Sequence, residues 1–243
     1  MRRISSVAGA GVAHLVVYAT YNGSWVPQEV QPPGTVDTSC DQGFQGWLHV
    51  ARAAPAETIL PMDDGDGRRL AFQLAANQPL VLRVLLVNAT EQPLQTQVDL
   101  TFETWNPEQE TTATASYVTD NINLSIPPNA ADTESAACAV PPSVKFWRFT
   151  ARTHKQGTRM RLLDGASTIL DGTDWENPPV MEYGPPAFYT FTSPLTYECT
   201  YFNPTNRTIT RGDSEATDEV CQGIGWFFPA TKPAICVGNI GPL

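Results

Sequence analysis

Polar and apolar residues alternate along several short runs of the chain. Over residues 98–105, Val98, Leu100 and Phe102 interleave with Asp99, Thr101 and Glu103. This is the period-two pattern of a strand with one buried face. Residues 144–150, with Phe146, Trp147 and Phe149 among Lys145, Arg148 and Thr150, read the same way. They lead into a further strand over 159–163 that ends at the turn Asp164-Gly165. Residues 80–87 are nearly all apolar, which predicts a strand buried on both faces or paired centrally. Residues 45–50 and 70–74 are shorter strand candidates, the latter preceded by the turn at Asp63 to Gly67. Two strand-like runs, 195–202 and 220–228, are joined by a turn-rich segment with Asn203-Pro204, Asn206 and Gly212-Asp213.

No long run with a 3.6-residue period is present, and the 21 prolines and 17 glycines fall between the short runs. The pattern therefore predicts an all-β protein. Residues 106–114 are polar without apolar periodicity, so they are expected to link two domains, 1–108 and 109–243.

Composition narrows the classes. A hydrophobic content of 42% against 16% charged residues is that of a folded chain with real cores, not of a disordered one. The formal net charge of −10, with basic residues such as Arg159 and Arg161 scattered, excludes a phosphate-binding surface and so a nucleic-acid partner. No apolar run reaches the roughly 20 residues that a helical membrane span needs. Three histidines and no Gly-x-Ser-x-Gly turn give no hydrolase triad, and neither Cys-x-x-Cys nor a glycine-rich phosphate loop occurs. The Asp63-Asp64-Gly65-Asp66 cluster lacks the remainder of a calcium-binding loop and reads as a solvated turn.

Cys199 and Cys221 sit in the two returning runs. Their pairing as a disulfide and their burial as two free thiols are both compatible with that placement. A disulfide implies an oxidising compartment. The N-terminus also has two readings. Met1-Arg2-Arg3 followed by an apolar region is the layout of a secretion signal. His14 inside the apolar part speaks against that reading.

The motifs Cys199-Thr-Tyr-Phe-Asn203, Gly212-Asp213-Ser214, Asp218-Glu219-Val220-Cys221 and Trp226-Phe-Phe-Pro229 follow one another in order and spacing. In this they resemble the C-terminal domain of the type II, ascorbate-dependent copper monooxygenases, the group of dopamine beta-monooxygenase and peptidylglycine alpha-hydroxylating monooxygenase. Asp174-Trp175-Glu176-Asn177-Pro178-Pro179 is similar to a Trp-containing, Pro-Pro segment of bacterial members. The resemblance is strong over 144–229 and weak before 106. It implies two antiparallel jelly-roll β-sandwich domains. It also implies the disulfides Cys199–Cys221 and Cys138–Cys236, which leaves Cys40 alone. The strand holding His14 resembles one that follows several earlier strands in the family. On that reading the first domain is truncated at its N-terminus, and its exposed edge is a place for self-association or for another chain.

The family uses one copper site per domain, and the resemblance carries each ligand onto a position of this chain. At the first site, two adjacent histidines correspond to Ala13 and His14, and a third to Leu85. At the second, a His-x-His pair corresponds to Arg152 and His154, and a methionine to Val220. One ligand of three remains at each site, so His14 and His154 are the residual metal positions and no catalytic residue is assigned. A guanidinium at position 152 opposes a copper ion by its fixed charge. The resulting expectation is a copper-monooxygenase-like protein without catalytic activity, an extracellular binding or structural relative that is secreted, periplasmic or at the cell surface. No cofactor is then expected. The alternative, an active hydroxylase of C–H bonds using dioxygen and ascorbate, would require copper.

Overall fold

The computed structural model of the chain describes residues 1–21, 44–52 and 55–241. Eighteen strands and no helix occur among these residues, so the protein is all-β. They fall into two compact units: Met1–Ala115 with Pro229–Pro233, and Ser116–Phe228 with Ala234–Leu243.

The first unit contains two three-stranded antiparallel sheets. In one, β1 (Arg3–Ala8) lies between β4 (Ala56–Ile59) and β7 (Val98–Glu103). In the other, β2 (Val12–Tyr21) lies between β3 (Phe44–Arg52) and β6 (Leu80–Leu86). β5 (Arg69–Phe72) runs parallel to residues Thr111–Thr114 of β8 (Thr111–Asp120). The stretch expected as a linker is therefore strand from Thr111 onward.

β2 is flanked on both sides, and Leu15, Val16, Val17, Tyr18 and Ala19 are all buried. The prediction of burial on both faces for residues 80–87 does not hold. β6 lies at the outside of its sheet and is half-exposed throughout, with Leu86 and Val87 more than half exposed. Its apolar run looks locally like that of β2, and only pairing on both sides separates a central strand from an outer one. β1 is a strand that the pattern did not foretell. A turn at Gly9 to Gly11 leads from β1 into β2 of the other sheet, and Gly11 takes a left-handed φ of 81°. That φ favours glycine, and a Cβ there would also meet the Val87 carbonyl oxygen at 3.1 Å. The Asp63 to Gly67 turn is exposed at Gly65, Asp66 and Gly67 but not at Asp64. Asp64 is buried and its carboxylate accepts from the N–H groups of Asp66 and Arg68 and from the Thr112 hydroxyl. Burial raises its pKa, but these bonds outweigh burial and hold the carboxyl below its ordinary value.

The second unit contains two principal sheets. One has the order β10 (Ala130–Cys138), β15 (Leu195–Asn203), β12 (Gly157–Asp164), β13 (Ser167–Gly172), all antiparallel. The other has the order β14 (Met181–Glu182), β11 (Lys145–Arg152), β17 (Gln222–Phe228), β8, β18 (Ala234–Val237). A two-stranded pair, β9 (Ser125–Ile126) with β16 (Ile209–Thr210), completes it. The apolar alternation of β15 (Leu195, Tyr197, Cys199, Tyr201) faces inward against β17, which is buried along its whole length. Both disulfides, Cys199–Cys221 and Cys138–Cys236, are formed. Each joins one principal sheet to the chain of the other, so they staple a sandwich. They are compatible with an oxidising compartment. Cys40 lies outside the described residues.

Aromatic rings fill one end of this core. Phe146 stacks on Phe149 at 5.0 Å, and Phe191 meets Phe146 edge-on at 5.2 Å. Such pairs add about 0.5–1.5 kcal/mol each beyond area burial. At another corner, buried Asn203 donates to the carbonyls of Ile126, Pro127 and Arg207 and accepts from Thr205 N–H and Oγ1. Asn203→Ala removes this donor and acceptor together, the Arg207 carbonyl keeping the Thr205 hydroxyl, and a loss of roughly 2–3 kcal/mol is expected in urea denaturation. A change below about 0.5 kcal/mol would show that the chain there is held by something else.

Candidate functional site

The residues expected from the resemblance as the first ligand set lie in the β3-β2-β6 sheet. His14 is buried on β2, and its cross-strand neighbours are Leu85 on β6 and Arg52 on β3. The structure thus places His14 and Leu85 directly opposite one another on one face. Ala13 is the extra residue of a bulge, since Val12 pairs with Leu86 and His14 with Leu85. Alanine and leucine supply no donor atom, so one imidazole is all that this trio offers. His49, the third histidine of the chain, is fully buried between hydroxyls: Nε2 lies 2.9 Å from Ser6 Oγ and Nδ1 2.8 Å from Thr58 Oγ1.

The second position falls where β11 ends. Arg152 is the last residue of β11 and pairs in register with Gln222, the first of β17. Past it the chain leaves the strand, turns at residues 153–156 and enters β12 in the other sheet. Leaving the ladder strips the turn of strand partners, and the Glu219 carboxylate replaces them. His154 N–H donates to its Oε2 at 2.8 Å and Gln156 N–H to its Oε1 at 2.7 Å. A Cβ on Gly157 would come within 2.2 Å of Thr153 Oγ1, so the tight turn also depends on that glycine.

The imidazole of His154 has no exposure, and its two nitrogens have unlike partners. Nδ1 lies 2.9 Å from the Asp218 carbonyl, which only accepts, so Nδ1 carries the proton. Nε2 lies 3.0 Å from Arg152 Nη2, which only donates, so Nε2 presents its lone pair to the guanidinium. His154 is therefore a neutral ring whose metal-binding lone pair is already taken by a fixed cation. The same guanidinium donates to Gln222 Oε1 at 3.4 Å and lies 3.7 Å from Glu215 Oε1. Val220 is fully buried, its carbonyl accepts from Tyr201 Oη at 2.9 Å, and its side chain has no donor atom. Cys221 beside it is tied to Cys199.

Glu219 is the most perturbed acid here. Burial pushes its pKa up to about 7, against the opposing effect of its backbone N–H donors and the nearby Arg152. Tyr201 is likewise pushed well up by burial, and then by the charge of Glu219.

These residues do not fit a copper ion. At the second position one imidazole lone pair is engaged, the neighbouring ligand position is a cation, and the third is an alkyl group. Among the described residues no group of three or more His, Cys, Asp or Glu side chains lies close enough together to hold a metal ion. The sequence foretold the charge at Arg152 but not its partners Gln222 and Glu215. Gln222 follows only from the register of β11 on β17, and Glu215 only from the path of the loop before Glu219. No protein-family model and no curated protein matches the chain.

Proposed function

We propose that the chain is a non-catalytic relative of the type II copper monooxygenases, a binding or structural module that keeps a disulfide-stapled β-sandwich without its copper chemistry. The observation that carries this reading is the Arg152 guanidinium on His154 Nε2. The placement of His14 opposite Leu85 and the two family-like disulfides support it. The disulfides also favour a secreted, periplasmic or cell-surface location. Fold carries no activity without its site, and a hydroxylase would need several converging ligands at each copper.

Equilibrium dialysis against Cu(II), and against Cu(I) under reductant-compatible buffer, is expected to leave the protein without stoichiometric copper. Two ions per chain would reverse the proposal in favour of an ascorbate-dependent hydroxylase. The double variant Arg152→His with Val220→Met is expected to take up one copper per chain, and either single variant much less.

A further inference from the structure

Around Arg152 the lone pairs of three segments converge on one positive charge. His154 Nε2 belongs to the turn after β11, Gln222 Oε1 to the start of β17, and the Glu215 carboxylate to the loop that carries Glu219. Arg152 and Glu215 are both largely withdrawn from water, with side-chain exposures of 7% and 13%. A cation buried to that extent is costly unless it is paired and hydrogen-bonded. An imidazole nitrogen, an amide oxygen and a carboxylate are also the kinds of donor that gather round a metal ion. The planar guanidinium meets the imidazole and the amide oxygen through its N–H groups and the carboxylate as an ion pair at 3.7 Å, and it never loses its charge.

We propose that Arg152 is a resident cation that cross-links this corner of the second unit. It ties the turn after β11, the start of β17 and the loop at Glu215 to one another, and so makes their closure independent of any bound ion. The comparison with a metal rests on the functional reading above, whereas the cross-link rests on the contacts alone. The site is thus a guanidinium site, and the chemical class it recognises is a planar amidinium-type cation.

The site is tested by emptying and refilling it. Arg152→Ala is expected to lower the melting temperature by roughly 10 °C. Millimolar ethylguanidinium should restore at least half of that loss. Equal concentrations of potassium chloride or urea should not, and the wild-type protein should not respond. Arg152→Met, which keeps the length and loses the charge, should be destabilised and unresponsive. An Arg152→Met protein as stable as wild type would overturn the proposal, because the guanidinium would then only fill space. Failure of ethylguanidinium to act on a folded Arg152→Ala protein would overturn it too.

If Arg152→Ala does not fold, the wild-type protein supplies the decisive measurement. Long-range proton–nitrogen correlation should show His154 protonated at Nδ1, with Nε2 bare and hydrogen-bonded. A proton on Nε2 would rule out the guanidinium as its donor. Failure of ethylguanidinium rescue would leave the copper-dialysis expectation standing, and copper uptake at the first position alone would leave the cross-link standing, so the two ideas can fail separately.

Discussion

Replacing Cys138 and Cys236 together by alanine is expected to destabilise the second unit by about 4–5 kcal/mol, and replacing Cys199 and Cys221 by about 3 kcal/mol. The two bonds close loops of very different length, with sequence separations of 98 and 22 residues. Constraint of the unfolded chain grows with the logarithm of loop length, so the longer loop contributes more, though by only about 1 kcal/mol. The shorter loop lies inside the longer one, so with Cys199–Cys221 intact the outer loop is effectively shortened and the gap narrows further. All four cysteines are buried, and alanine avoids placing a hydroxyl among apolar neighbours. The loss should be read from urea denaturation followed by tryptophan fluorescence under non-reducing conditions. Trp147 and Trp226, 5.9 Å apart in the core, report on the sandwich itself. A larger loss for the inner bond than for the outer one would contradict the loop-length account. It would point to local cohesion around Val220 and Glu219 instead.

Raising the pH from about 4.5 to about 7 is expected to lower stability through Glu219, and Glu219→Gln is expected to remove that slope. The folded-state pKa of Glu219 is raised to about 7 by burial, while an unfolded glutamate titrates near 4.3. Between these values the folded protein holds more protons than the unfolded chain. The contribution is therefore fully present below the unfolded pKa and is lost as pH rises through 7. A shift of this size corresponds to a change on the order of 3 kcal/mol across the window. Asp64 and Asp164 have depressed pKa values, because bonds from backbone and hydroxyl groups outweigh their burial. Their stabilisation is lost only as pH falls through those depressed values, below the window of Glu219.

Glutamine cannot accept from the N–H groups on both oxygens of Glu219, so the variant should be weaker by roughly 1–3 kcal/mol at pH 4.5. The difference should shrink or change sign by pH 8, where the wild-type carboxylate is charged. Urea midpoints of both proteins at pH 4.5, 6 and 8 decide the matter. Parallel pH dependences would mean that Glu219 does not titrate in this range.

Local pattern was enough for the strands whose faces differ. The alternating run of Val98, Leu100 and Phe102 is β7, although Phe102 on its apolar face is exposed, and the strand-like run from Leu195 is β15, where Leu195, Tyr197, Cys199 and Tyr201 are buried. Strands outside the patterned runs were not legible, β10 and β1 among them. β10 is rich in alanine and polar residues, so no propensity or apolar face announces it. It is a strand because β15 offers it nine register partners. β1 carries only Ile4 as a large, fully buried residue and owes its place to β4 and β7 on either side.

The sequence by itself determined the all-β class and the fixed charge at Arg152, the position that the resemblance aligns with a ligand. These depend on residue identity and on short-range periodicity, which no folding changes. Only the tertiary structure decided that β2 is central and β6 lies outside it, because an apolar run is the same run until a partner pairs with its second edge. It alone decided the state of His154, since a tautomer is set by what faces each nitrogen. The Asp218 carbonyl and the Arg152 guanidinium reach that ring from 64 residues away and from two residues away. The one long-range and the one local contact meet only when β11 and β17 are in register and the loop before Cys221 has closed over them.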